Sequence, residues 1–250
     1  MMPDDDLIWG IHAVAGVLRD RPRQIRELTI QKGKASPKIQ EIIDLARKHQ
    51  LKIRFELRLR VPGGSGKVNH QGVMARMQRV ATVSLDDLLA GLDDQLKPPI
   101  FLALDSIQDP HNLGAIIRSA AAVGVTAILL PKDRSAPLSG TVAKVAVGAM
   151  AHVAICTVTN LVNALKELQD HGFWVFGAAG EADQTLYEAD FAGKVCLVVG
   201  GEGKGLRPLV RSQCDHLLSI PMQHGLDSLN ASVATGVILF EMMRQRLAVK

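Results

Sequence analysis

Three short segments of this 250-residue chain combine glycines, an isolated charge and a polar helix start in ways that plain scaffold does not require. The first runs Asp109-Pro-His-Asn-Leu-Gly-Ala-Ile-Ile-Arg-Ser-Ala120. Arg118 is the only charged residue from Leu113 through Pro131, and its neighbours three and four positions away are Gly114, Ala115, Ala121 and Ala122. On a helix these lie on one face, so another chain segment can approach this arginine closely. It reads either as a functional cation or as an arginine tying two elements together by ion pairing. Asn112 stands where it would cap the helix. The second segment is Val198-Val-Gly-Gly-Glu-Gly-Lys-Gly205, in which Glu202 is the first charge after seven uncharged residues. Glycines here permit close backbone approach to a ligand, or simply a tight turn. The GxxxxGK[ST] spacing of a phosphate loop is absent, and the loop at 63–67 fails the same test because Val68 follows Lys67. The third segment, Ile220-Pro-Met-Gln-His-Gly-Leu-Asp-Ser-Leu-Asn-Ala-Ser-Val-Ala234, enters the last helix with Ser228 as N-cap and Asn230 and Ser232 in its first turn. These polar groups suit either the free helical N–H groups or a ligand lodged against the helix start.

The elements that must position these segments alternate. Apolar runs predict strands at 100–105, 127–131, 154–158, 173–177, 195–200 and 216–222. Helical periodicity predicts helices at 112–123, 139–150, 161–171, 207–214 and 228–247. Strands without polar alternation, such as Cys196-Leu-Val-Val199, read as parallel strands buried on both faces. The expected fold is therefore α/β, a parallel sheet with helices on both sides, and ligands of such sheets sit at the carboxyl ends of the strands. A smaller α/β unit precedes it, with a helix at 11–19, strands at 26–31, 52–57 and 72–78, and a helix opened by Ser36-Pro37. The expected boundaries are 1–78 for this unit, 79–97 for a junction containing an acidic amphipathic helix at 84–92, and 98–250 for the main domain.

Charge divides along the same line. Residues 1–80 hold 16 Lys and Arg against 8 Asp and Glu, whereas 81–250 hold 13 against 17. A basic unit attracts polyanions such as nucleic acid, although a solvated basic surface would look the same. Cys156, Cys196 and Cys214 lack metal-ligand spacing and read as small buried hydrophobes of a reducing compartment. The histidines show no ligand pairing, so no metal is expected. No apolar run reaches the roughly 18 residues of a membrane span, and the acidic start Asp4-Asp-Asp6 does not read as a signal peptide. The expected location is cytoplasmic.

In this order, the motifs Asn112-x-Gly-Ala-x-x-Arg-Ser-Ala120, Leu197-Val-x-Gly-x-Glu-x-x-Gly205, Ile220-Pro-Met222 and Ser228-Leu-Asn-x-Ser-x-Ala234 resemble the SpoU (TrmH-like) family of RNA 2′-O-methyltransferases, in the SPOUT superfamily. Trp9-Gly-Ile-His-Ala-Val14 and His70-Gln-Gly72 resemble that family's N-terminal substrate-binding domain, which is similar to a ribosomal-protein-type RNA-binding fold. The resemblance implies a SPOUT methyltransferase domain with a C-terminal trefoil knot, S-adenosylmethionine as methyl donor, and a homodimer with the active site near the subunit interface. It implies catalytic roles for Arg118, Asn112, Glu202, Ser228 and Asn230, and cofactor contacts by Leu197, Gly200, Ile220, Met222 and Leu229. Leu130-Pro-Lys-Asp-Arg-Ser-Ala136 and Gly180-Glu-Ala-Asp183 look like members acting on a guanosine of 23S ribosomal RNA. A tRNA substrate and a non-catalytic RNA-binding assembly factor are the alternatives. The loop Gln223-His-Gly225 departs from the family pattern, which has a glycine at the position of His224.

Overall fold

In the computed structural model the described residues are 7–20, 22, 25–34, 36–59, 69–77, 82–92, 97–223 and 228–248. The glycine loop at 63–66 and His224 of the departing loop lie outside them, as do parts of the junction. The chain divides into two compact units, Met1–Val80 and Ala81–Lys250.

The first unit contains β1 (Leu7–Trp9), α1 (Ile11–Asp20), β2 (Ile25–Gln31), α2 (Pro37–Lys48), β3 (Ile53–Glu56) and β4 (Val73–Met77). Its sheet runs β1-β4-β2-β3, antiparallel except for the β2–β3 pair. Leu28 and Ile30 of β2 and Val73, Ala75 and Met77 of β4 meet Val14 and Leu18 of α1 and Ile39, Ile42 and Ala46 of α2 in one core. Ser36 caps α2 as its sequence predicts, accepting from the Ile39 N–H. The short strand β1 was not anticipated, because three residues cannot display a period. The His70-Gln-Gly72 motif has a structural job. The Gln71 side chain accepts from the Ile11 N–H at 2.9 Å and so caps α1.

The second unit begins with α3 (Leu85–Ala90), whose Leu85 and Leu89 enter the core of that unit together with Leu92. It continues through β5 (Ile100–Asp105), α4 (Pro110–Val123), β6 (Ala127–Pro131), α5 (Gly140–Ala146), β7 (Ala154–Val158), α6 (Leu161–Asp170), β8 (Trp174–Ala178), β9 (Val195–Gly200), α7 (Pro208–Arg211), β10 (His216–Leu218) and α8 (Ala231–Ala248). The sheet order is β10-β8-β9-β5-β6-β7, and every neighbouring pair is parallel. The helix expected over 139–150 stops at Ala146, because Val147 and Gly148 both turn to positive φ before a short 3₁₀ turn. The strand expected to reach 222 ends at Leu218, ahead of Pro221, which has no N–H for a ladder. Burial pushes the Cys156 thiol up to about 11 and that of Cys214 to about 12, and raises that of Cys196 as well, so all three stay protonated.

Candidate active site

The sheet reverses its winding between β5 and β9. From β5 the chain proceeds outward through β6 and β7, then crosses to β8, places β9 against β5, and ends at β10 on the far edge. A crevice at the carboxyl ends of strands is expected at such a switch point. Asp105 and Gly200 are the last residues of the two strands and stand in register. The segments that follow carry Asn112, in the first turn of α4, and Glu202, in the glycine loop.

Asp105 ends an unbroken apolar run and is fully buried. It accepts from the Arg207 backbone N–H at 2.8 Å and from Arg207 Nε at 2.6 Å. This clamps the far end of the glycine loop to the end of β5. Within the loop, the Gly205 N–H donates to the Gly201 carbonyl at 3.1 Å. A Cβ on Gly200 would stand 2.1 Å from the Gly205 carbonyl carbon, and one on Gly201 would stand 2.4 Å from the Ser106 carbonyl oxygen. Here the glycines are needed for the loop to fold against itself and against β5. Sequence reasoning missed Asp105 and Arg207. Their only signal was a lone acid at the end of a buried strand.

The clamped loop presents Glu202. Its Oε1 accepts from Asn112 Nδ2 at 2.7 Å and from Asn230 Nδ2 at 2.6 Å, and Asn230 Nδ2 also reaches Asn112 Oδ1 at 3.0 Å. Three residues from three segments thus form one network. Asn112 is not the helix cap expected from sequence. Asp109 caps α4, accepting from the His111 N–H at 3.0 Å, which leaves the Asn112 amide free for Glu202. The expected cap Ser228 is displaced as well. The helix starts at Ala231, and Asn230 Oδ1 accepts from the N–H groups of Ser232 and Val233. Asn230 therefore caps the last helix with its oxygen and holds Glu202 with its nitrogen. Among the described residues, Glu202 Oε2 has no partner.

The other expected site residues are distributed as follows. Arg118 is exposed on α4, and its side chain makes no ion pair or hydrogen bond with any described residue. It does not join the network, since six positions along the helix turn it to another face. Ser228 and Leu229 are exposed just ahead of Asn230. Ile220 and Met222 are half-buried beyond the end of β10. Leu197 is fully buried in the middle of β9, paired with Leu102 and Phe176. No backbone–backbone hydrogen bond joins Ile220, Met222, Ser228 or Leu229 to another described residue. Backbone groups without a partner among the described residues, beside part-exposed apolar side chains, offer a ligand both polar and apolar contacts.

Residues 99–240 match the model of the SpoU rRNA methylase family. The chain belongs to that family. Residues 7–82 match the model of the RNA 2′-O ribose methyltransferase substrate-binding domain. The 23S rRNA (guanosine-2′-O-)-methyltransferase RlmB of Xanthomonas campestris pv. campestris is 44% identical, over 99% of both chains. The protein of the same name from Escherichia coli K12 is 43% identical over 96% of this chain and 99% of its own. The fold matches the SpoU methyltransferase AviRb of Streptomyces viridochromogenes, solved in complex with the cofactor AdoMet. The TM-score is 0.65 at 22% identity, covering 97% of this chain and 90% of that one. The α/β parallel-sheet fold expected from the sequence is thus that of the SpoU methyltransferases.

Proposed function

We propose that this protein transfers a methyl group from S-adenosylmethionine to the ribose 2′-hydroxyl of a guanosine in 23S ribosomal RNA, as a cytoplasmic homodimer. The observation that carries the reading is the Asn112–Glu202–Asn230 network at the switch point, in a chain so similar over its whole length to the RlmB enzymes.

Gly200, Ile220, Met222 and Leu229, with Leu197 of β9, would hold the cofactor at the carboxyl edge of the sheet. When bound, the sulfonium supplies an already activated methyl group. The chain's task is then to position the ribose and to manage a proton, and positioning alone lowers barriers by several kcal/mol in favourable cases. Glu202, with Oε1 held by two amides, presents Oε2 as the free acceptor that orients the ribose hydroxyl. Ser228 borders it. Arg118 is unpaired among the described residues and free to bind an RNA phosphate and the developing 2′-oxyanion. An arginine side chain keeps its proton near neutrality, so it serves better as a clamp than as a base.

Two surfaces support the homodimer. Val233, Val237 and Phe240 are 51%, 36% and 48% exposed on α8 and recur at spacings of four and three, one apolar stripe. On α4 the small Ala115 and Ala122 flank Arg118 one turn either way, leaving room for a second chain beside it. Seating a partner there would bring Arg118 to an active site at the interface. The family's trefoil knot belongs to the same reading. It is supported by the return of α8 from edge strand β10 to pack on α4 and β9.

The test is transfer of radiolabelled methyl from S-adenosylmethionine to protein-free 23S rRNA, with bulk tRNA in parallel, followed by nuclease digestion. Label in 2′-O-methylguanosine of the rRNA alone is the expected result. Label confined to tRNA would overturn the substrate, and no label in either RNA would overturn the reading for free RNA.

A further inference from the structure

We propose that a cavity in the N-terminal unit receives one unpaired nucleotide of the bound RNA, its base against Phe55 and its phosphate between Lys32 and Lys34. The proposal rests on the RNA-directed reading above and adds to it a mode of recognition. The cavity measures about 630 Å³, inside the span of about 300–1,000 Å³ usual for small-ligand sites. It opens where β2 ends and the chain turns through Lys32-Gly-Lys34 toward α2. Ile30, Ile39 and Ile43 give it an apolar lining. Phe55 stands in register with Ile30 on the sheet's edge strand, so its ring continues that lining, yet it remains 45% exposed. An aromatic ring left open at the rim of an apolar cavity is a stacking platform for a base.

The charges around it suit a phosphate. Lys52, just ahead of β3, and Arg54 on β3 both pair with Glu27. Lys32 and Lys34 pair with no acid among the described residues. The stem of Lys34 lies over Gly72, where a Cβ would stand 3.0 Å from Lys34 Cδ. The N-terminus of α2 begins at the cavity rim and adds its positive end. Gln31 also lines the cavity. Its Nε2 donates to the Leu57 carbonyl at 3.3 Å, and its buried Oε1 accepts from no described residue. A fully paired helix could reach the two lysines but has no unstacked base to lay on this ring. Bases swung out of the helix are the ones that proteins stack and read.

The experiment measures binding of the full chain to protein-free 23S rRNA over a range of salt concentrations, with photocrosslinking of the complex. Phe55→Ala is expected to weaken binding about 5- to 160-fold, as the loss of one base–aromatic stack does, while Phe55→Tyr retains it. Replacing Lys32 and Lys34 together by Ala removes one phosphate contact and lowers the salt slope by about 0.7 to 0.9. A nucleotide adduct forms on the peptide containing Phe55. Unchanged circular dichroism shows that the variants fold. Phe55→Ala binding within twofold of wild type, with no adduct at Phe55, would overturn the pocket in favour of phosphate contact to duplex alone. Failure of the wild-type chain to bind 23S rRNA at all would overturn the rRNA reading, and the pocket with it.

Discussion

Asp105 and Arg207, 102 residues apart, close the glycine loop onto the end of β5 through two hydrogen bonds to one buried carboxylate. The loop between them carries Glu202, so the position of the site's carboxylate is set by a pair that lies outside the family motifs. Asp105→Asn keeps the size but exchanges one acceptor oxygen for an amide. It should lower unfolding free energy by about 1–3 kcal/mol, measured by urea titration. An unchanged midpoint with unchanged methyl transfer would remove the pair from this role.

Glu202 itself is exposed and contributes little to folding. Glu202→Ala should cut methyl transfer about 100-fold through lost positioning, with the melting temperature nearly constant. Glu202→Gln retains an oxygen for the two amides and should fall between. Equal activity of all three proteins would show that the network only caps α8.

Arg118→Ala should reduce turnover to background while S-adenosylmethionine binding, followed by calorimetry, stays within a few-fold of wild type. The side chain is exposed and unpaired among the described residues, so the variant folds. Substantial methyl transfer by this folded variant would exclude Arg118 from the reaction.

The apolar stripe on α8 leads to an oligomer prediction. Wild-type protein should have the mass of a dimer by light scattering, and Phe240→Asp should shift it to the monomer by placing an unpaired charge in the contact. Monomeric wild-type protein at micromolar concentration would refute the dimer.

One acid dependence has a traceable source. Glu241 is buried and accepts from Arg244 at 2.7 and 2.8 Å and from Gln245 at 2.9 Å. These bonds hold its carboxyl down from 4.5 to about 2. A depressed carboxyl stabilises the fold fully above its unfolded value, and that contribution is lost as pH falls from about 4.5 towards 2. The stability gap between wild type and Glu241→Gln, from urea midpoints, should therefore narrow over this window. A constant gap would mean that packing, not ionisation, sets the contribution.

Periodicity was enough to place β5, β6, β7 and β9 to the residue, because a strand buried on both faces must be apolar throughout and stops where the pattern stops. Composition alone separated a basic unit from an acidic one. The motifs identified Asn112, Glu202 and Asn230 as unusual, but not their arrangement. Asn112 read as a cap and Ser228 as another, since local preference sees only the nearest free N–H groups. The fold decided otherwise. With Asp109 capping α4 and Asn230 capping α8, the Asn112 amide was free to meet a carboxylate 90 residues away. The Asp105–Arg207 clamp and the cavity beside Phe55 likewise depend on contacts between distant segments. A linear pattern records which residues are buried, whereas the choice of partner is made by strand order and register.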